Sequence, residues 1–151
     1  MSKEIWIKDI LTGNFDGKEV ELKGWIYRSR GSNKIRFIVI RDSTGHIQCV
    51  AKRDVLGDDF FEQLKGSLIE SSVVLRGVIQ PTDREHGHEL QVIGGQIIGS
   101  VNPDRPFPIT ESAMAEADGG ETEFLLDNRH LYLRTSRMTT MLKIRSSVFG
   151  A

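Results

Sequence analysis

The sequence predicts a mainly β chain: a five-stranded Greek-key barrel with a short helix between its third and fourth strands, followed by a hinge and a C-terminal helix. Three observations predict it. The stretch from Lys18 to Lys52 holds three runs rich in β-branched and aromatic residues, VELKGWIYRSR, KIRFIVIRD and HIQCVAK, broken at GSN and STG by turn-forming residues. The period then changes to helical over DVLGDDFFEQLKG, and returns to strand in SSVVLRGVIQ and HELQVIGGQIIGSV. From Asn102 the texture changes again, with three prolines between Pro103 and Pro108.

Taken in order, Ile5, Ile7, Ile10 and Leu11 precede the Gly13-Asn14 break and fit a short lead-in helix or an extended edge. The first strand runs from about Lys18 to Arg30, long enough to bend, and Gly24 permits a bulge or a close backbone approach. In the second strand Ile38 and Ile40 share one face and Phe37 and Val39 the other, so a core built on the isoleucines turns Phe37 outward. In the third strand Ile47 and Cys49 oppose His46, Gln48 and Val50. Phe60, Phe61 and Leu64 fall on one side of the following helix, whose first turn carries Asp58 and Asp59, the charge that a helix N-terminus favours. Three strands, a helix and two strands is the order of the OB-fold, whose second and third strands present a face to oligonucleotides.

The domain division expected is a barrel over 1–102, a hinge over 103–127, where PDRPFPIT leads into ESAMAEADGGETE, and a third piece over 128–151. In that last piece Met138, Met141, Leu142, Val148 and Phe149 recur at helical spacing, and the chain stops at Ala151 inside the expected helix. The charge follows the same division. Between Leu22 and Arg41 stand six basic residues and no acid, residues 106–128 hold six acids and no Lys or Arg, and residues 129–151 hold five basic residues and no acid. With a formal net charge of -1 over 151 residues, any affinity for nucleic acid comes from where the cations sit and not from the whole molecule.

The single cysteine, Cys49, excludes an internal disulfide, and no run approaches the roughly 18 apolar residues of a membrane span. A cytoplasmic, non-membrane chain is therefore expected. Cys49 has no histidine placed to activate it, and His86 and His88, flanking Gly87 in a turn, lack further ligands at zinc spacing, so both histidines are expected to be loop residues. No phosphate-binding loop or dinucleotide fingerprint is present. No catalytic residue, no metal site and no cofactor are assigned to this chain. The cationic run is the constellation that stands out: Lys23, Arg28, Arg30, Lys34, Arg36 and Arg41 interleave with Trp25, Tyr27 and Phe37, the combination of cations for phosphates and rings for bases that single strands require. A charged strand face is also ordinary solvated surface, and by strict alternation Arg28 and Arg30 share the inward register of Ile26 unless the strand bulges.

GWI at 24–26, FIVIRD at 37–42, GHIQ at 45–48, PFPIT at 106–110, and FLLDNRHLYLR at 124–134 running into KIRSSVFGA together carry a resemblance. Over essentially its whole length the chain resembles the N-terminal third of the class IIb aminoacyl-tRNA synthetases, asparaginyl first and aspartyl as the near alternative. A free-standing single-strand-binding or protein-interaction OB module is the alternative from another class. The resemblance implies an anticodon-binding domain, a hinge, and the start of a class II catalytic domain with part of its motif 1 helix. It implies that Phe37 stacks on the middle anticodon base, that Gln48 contacts that base, that Arg30 with Arg28 beside it meets the RNA, and that Glu89 reads the first anticodon base. The partner implied is the tRNA anticodon loop. The full-length relative would be a homodimeric ligase using ATP and Mg, its dimer formed through the catalytic domain, none of whose nucleotide-holding motifs lies in these residues.

Overall fold

The computed structural model describes residues 5–83, 87–109 and 122–150. Its five strands are β1 (Glu19–Gly31), β2 (Ile35–Arg41), β3 (His46–Lys52), β4 (Ser72–Pro81) and β5 (His88–Gly99). They close into a barrel in the order β1-β2-β3-β5-β4, with β4 returning to β1. All neighbours are antiparallel except β3 and β5, which run parallel. Together with the two short helices between β3 and β4, α2 (Arg53–Leu56) and α3 (Asp58–Gly66), this is the OB-fold expected from the order of elements.

Alternation supplies the core. Val20, Leu22 and Ile26 of β1, Ile38 and Ile40 of β2, Ile47 and Cys49 of β3, Leu75 and Ile79 of β4, and Leu90 and Val92 of β5 are buried inside the barrel. Phe61 and Leu64 of α3 are fully buried, and Leu64 joins this core. The lead-in segment resolves as a single-turn helix, α1 (Ile7–Ile10), whose Ile7 and Ile10 are core residues. The reason lies in the β2–β3 turn. Asp42 accepts the Ile7 N–H through Oδ2 at 2.8 Å, and its Oδ1 accepts the N–H groups of Thr44 and Gly45 at 2.6 and 2.9 Å, so one carboxylate shapes the turn and caps the helix.

The bend of β1 falls at Tyr27 and not at Gly24. Register with β2 shifts between Ile26, opposite Ile40, and Arg28, opposite Val39. The extra residue flips the alternation, so Arg28 and Arg30 stand exposed although Ile26 is fully buried. Gly24 has the other role open to it: a Cβ there would lie 2.5 Å from the Arg41 carbonyl oxygen, so the glycine lets β1 and β2 approach.

The described chain divides into two compact units, Met1–Pro106 and Phe107–Ala151. Residues 110–121 of the expected hinge lie outside the described residues, and its last six residues form α4 (Thr122–Asp127). Then come α5 (Arg129–Tyr132) and α6 (Ser136–Phe149). Thr135 caps α6 through its hydroxyl oxygen, which accepts the Met138 N–H at 3.3 Å. Along α6 the apolar residues Met141, Leu142, Ile144, Val148 and Phe149 are exposed.

Candidate nucleic-acid interface

Residues directly opposite in neighbouring strands project to the same side of the sheet, so the register places side chains in rows. Arg28, Val39, Gln48 and Glu89 form one row across β1, β2, β3 and β5 on the outer face. Arg30, Phe37, Val50 and Gln91 form the next. All five residues singled out from the sequence, Arg28, Arg30, Phe37, Gln48 and Glu89, therefore lie in two adjacent rows of one face. Those rows come from four strands, and the last step, from Gln48 to Glu89, depends on the parallel β3–β5 contact.

The cations border this face on the β1 side, where both arginines are exposed, and Phe37 is half-buried beside them. Val50, expected to point away from Ile47 and Cys49, does lie in an outer row, yet is 6% exposed because Phe37 and Gln91 flank it in register. On the far side the carboxylate of Glu89 is held at both oxygens. The side-chain amide of Gln48 donates to Oε2 at 3.2 Å and that of Gln91 to Oε1 at 2.7 Å. A carboxylate offers about four acceptor positions, so after two such bonds about two remain for a ligand that donates.

The six basic residues of the Leu22–Arg41 run do not share one surface. Arg41 pairs with Glu70 at 2.5 Å, both side chains being almost nine-tenths buried, and lies over the Tyr27 ring, which in turn packs at 4.8 Å on His46. Arg36 occupies the register of Ile38 and Ile40, and its guanidinium donates to the Ser29 hydroxyl at 2.8 Å. Lys23 lies opposite Val74, toward β4. Of the six, Arg28 and Arg30 stand in the two rows, and Lys34 lies in the β1–β2 turn.

Other candidates from the sequence take structural places. His88 is not a loop residue: it opens β5, and its Nε2 lies 3.0 Å from Asp16 Oδ1, whereas His86 lies outside the described residues. Among the described residues, no group of three or more His, Cys, Asp or Glu side chains gathers as metal ligands do, and no helix is long and apolar enough to cross a membrane. Cys49 is fully buried, and burial pushes its thiol well above the ordinary range. A thiol-disulfide reagent at neutral pH should therefore leave Cys49 unmodified in the folded chain and titrate one thiol once denaturant is added; rapid native labelling would contradict this placement.

A five-stranded closed barrel whose outer face carries two arginines, a phenylalanine ring and a held carboxylate in two adjacent rows defines the class, and sequence comparison agrees. Residues 20–98 match the family of OB-fold nucleic acid binding domains that carries the tRNA anticodon designation, and the chain belongs to that family. Beyond the barrel, it is similar to the N-terminal part of asparagine--tRNA ligases. It is 40% identical to the asparagine--tRNA ligase of Thermoplasma acidophilum over 144 residues, 95% of this chain and 31% of that protein. The crystal structure of asparaginyl-tRNA synthetase from Pyrococcus horikoshii complexed with asparaginyl-adenylate superposes with a TM-score of 0.85 at 33% identity, over 99% of this chain and 33% of that one. An aspartyl-tRNA synthetase from Entamoeba histolytica shares the fold at a TM-score of 0.80 and 18% identity, over 98% of this chain and 36% of that one. The chain thus spans about a third of the length of the relatives it matches.

Proposed function

We propose that this chain recognises the anticodon loop of a tRNA on behalf of an asparaginyl-tRNA synthetase. The observation that carries the proposal is the pair of adjacent rows, Arg28–Val39–Gln48–Glu89 and Arg30–Phe37–Val50–Gln91, which offer cations, an aromatic ring and an anchored carboxylate in sequence across one face. Arg28 and Arg30 meet phosphates at one edge, the middle anticodon base stacks on Phe37 with Gln48 beside it, and Glu89 receives the first base. In this reading residues 1–102 are the anticodon-binding domain, 103–127 the hinge, and 128–151 the opening of a class II catalytic domain. Attachment of asparagine, the homodimer contact, ATP and Mg belong to other parts of the full-length ligase, whose setting is the cytoplasm.

The test is a titration of the chain with a labelled stem-loop bearing a GUU anticodon, at several salt concentrations. Binding to a mostly single-stranded target falls with a log–log salt slope of about 0.7 for each phosphate neutralised. Three contacts, from Arg28, Arg30 and Lys34, give a slope near -2, or about a 20-fold loss of affinity between roughly 50 and 200 mM salt. Arg30→Ala should flatten the slope by about 0.7. Salt-independent binding, or equal binding of a stem-loop with a scrambled loop, would refute the proposal.

A further inference from the structure

We propose that Gln91 is a specificity-determining positioning residue, holding the Glu89 carboxylate as a paired acceptor for the Watson–Crick edge of a guanine. The proposal rests on the anticodon reading above and adds a residue and a mechanism to it. Gln91 is two residues beyond Glu89 on the same face of β5, and its amide donates to Glu89 Oε1 at 2.7 Å, the shorter of the two bonds that the carboxylate accepts. Gln48 takes the other oxygen from the neighbouring strand. Held at opposite ends from two strands, the carboxylate has its orientation set before any ligand arrives.

An acceptor-only group recognises adjacent donors. Among the four RNA bases guanine alone presents two neighbouring donors, N1–H and N2–H2, on its Watson–Crick edge; adenine presents one donor beside an acceptor lone pair that a carboxylate repels. A loosely held glutamate would reach for either base and would give up side-chain freedom on binding, an ordering cost that Gln91 removes in advance. Gln91 also sits in the Phe37–Val50 row, with Val50 standing between it and the ring assigned to the next base.

The test uses the whole chain and four proteins: wild type, Gln91→Met, Glu89→Gln, and the double variant. Each is titrated with stem-loops whose first anticodon base is guanine or adenine, and thermal melts establish that each variant is folded. Gln91→Met keeps the length of the side chain and removes its donor. It should weaken binding of the guanine loop about 3- to 10-fold, the loss expected from ordering one freed side chain, and leave the adenine loop within about 2-fold. In the Glu89→Gln background the same change should have no further effect, because a residue that acts through Glu89 is silent once the carboxylate is gone. Equal losses on both loops, or a full loss in the Glu89→Gln background, would overturn the positioning role and make Gln91 a contact in its own right. A wild type that binds neither loop would instead refute the anticodon reading beneath it.

Discussion

Phe37→Ala should weaken binding of a GUU stem-loop about 5- to 150-fold while leaving the barrel folded, since one base stacked on an aromatic ring contributes about 1–3 kcal/mol. The ring occupies an outer row between Arg30 and Val50, whereas its neighbour Ile38 is fully buried in the core. Because Phe37 is half-buried, its truncation should cost less than the about 3–5 kcal/mol of a core phenylalanine, with part of the loss arising from exposure of Val50 beside it. Titration of labelled stem-loop beside a thermal melt separates the two effects. A variant that melts far lower while its folded fraction binds normally would make Phe37 a core residue and remove it from the interface. Phe37→Tyr, which keeps a ring, should bind within a few-fold of wild type.

Gly77→Ala should lower the stability of the barrel substantially. At Gly77 the register between β4 and β5 shifts, and a Cβ there would overlap the carbonyl oxygen of Gln91 and lie 2.8 Å from its carbonyl carbon. A backbone obstruction of this kind is not relieved by changing a rotamer, so one of the two strands must move. The expected cost is about 2–3 kcal/mol, toward the upper end for overpacking, and corresponds to a fall in Tm of roughly 10–20 °C for a unit of this size. Gly94→Ala on β5 is the control, because its Cβ would meet only the Arg76 guanidinium at 3.6 Å, an ordinary contact. A melt of Gly77→Ala indistinguishable from that of Gly94→Ala would contradict the close approach. A folded fraction of Gly77→Ala that loses preference for guanine over adenine at the first anticodon position would identify β5, which carries Gln91 and Glu89, as the strand that moves.

Several features could be read from the chain because their causes are local. Period-two alternation assigned Ile38 and Ile40 to the core and Phe37 to the outside, and the change of period over residues 54–66 marked the helix that buries Phe61 and Leu64. The five strands, their order and the placing of a helix between the third and fourth followed from turn residues and β-branched runs, and the closed barrel has that order of elements. Gln91 could have been found by the same logic, since it stands two residues from Glu89 and so shares its face.

What alternation leaves open is everything set by the partner strand. One inserted residue reverses every side chain beyond it, and the bulge at Tyr27 is fixed by how β1 fits β2, which no count along β1 alone reveals. The charge run was equally ambiguous, because a sequence gives the number of cations and not their neighbours: Glu70, itself at φ 68°, takes Arg41 out of the face, and Ser29 takes the Arg36 guanidinium. Tertiary closure also made the lead-in segment a helix, by bringing Asp42 to its first N–H. Above all it set β5 parallel to β3, joining Gln48 to Glu89 across 41 positions of chain, and so turned a glutamate read as a lone contact into a carboxylate held from two strands.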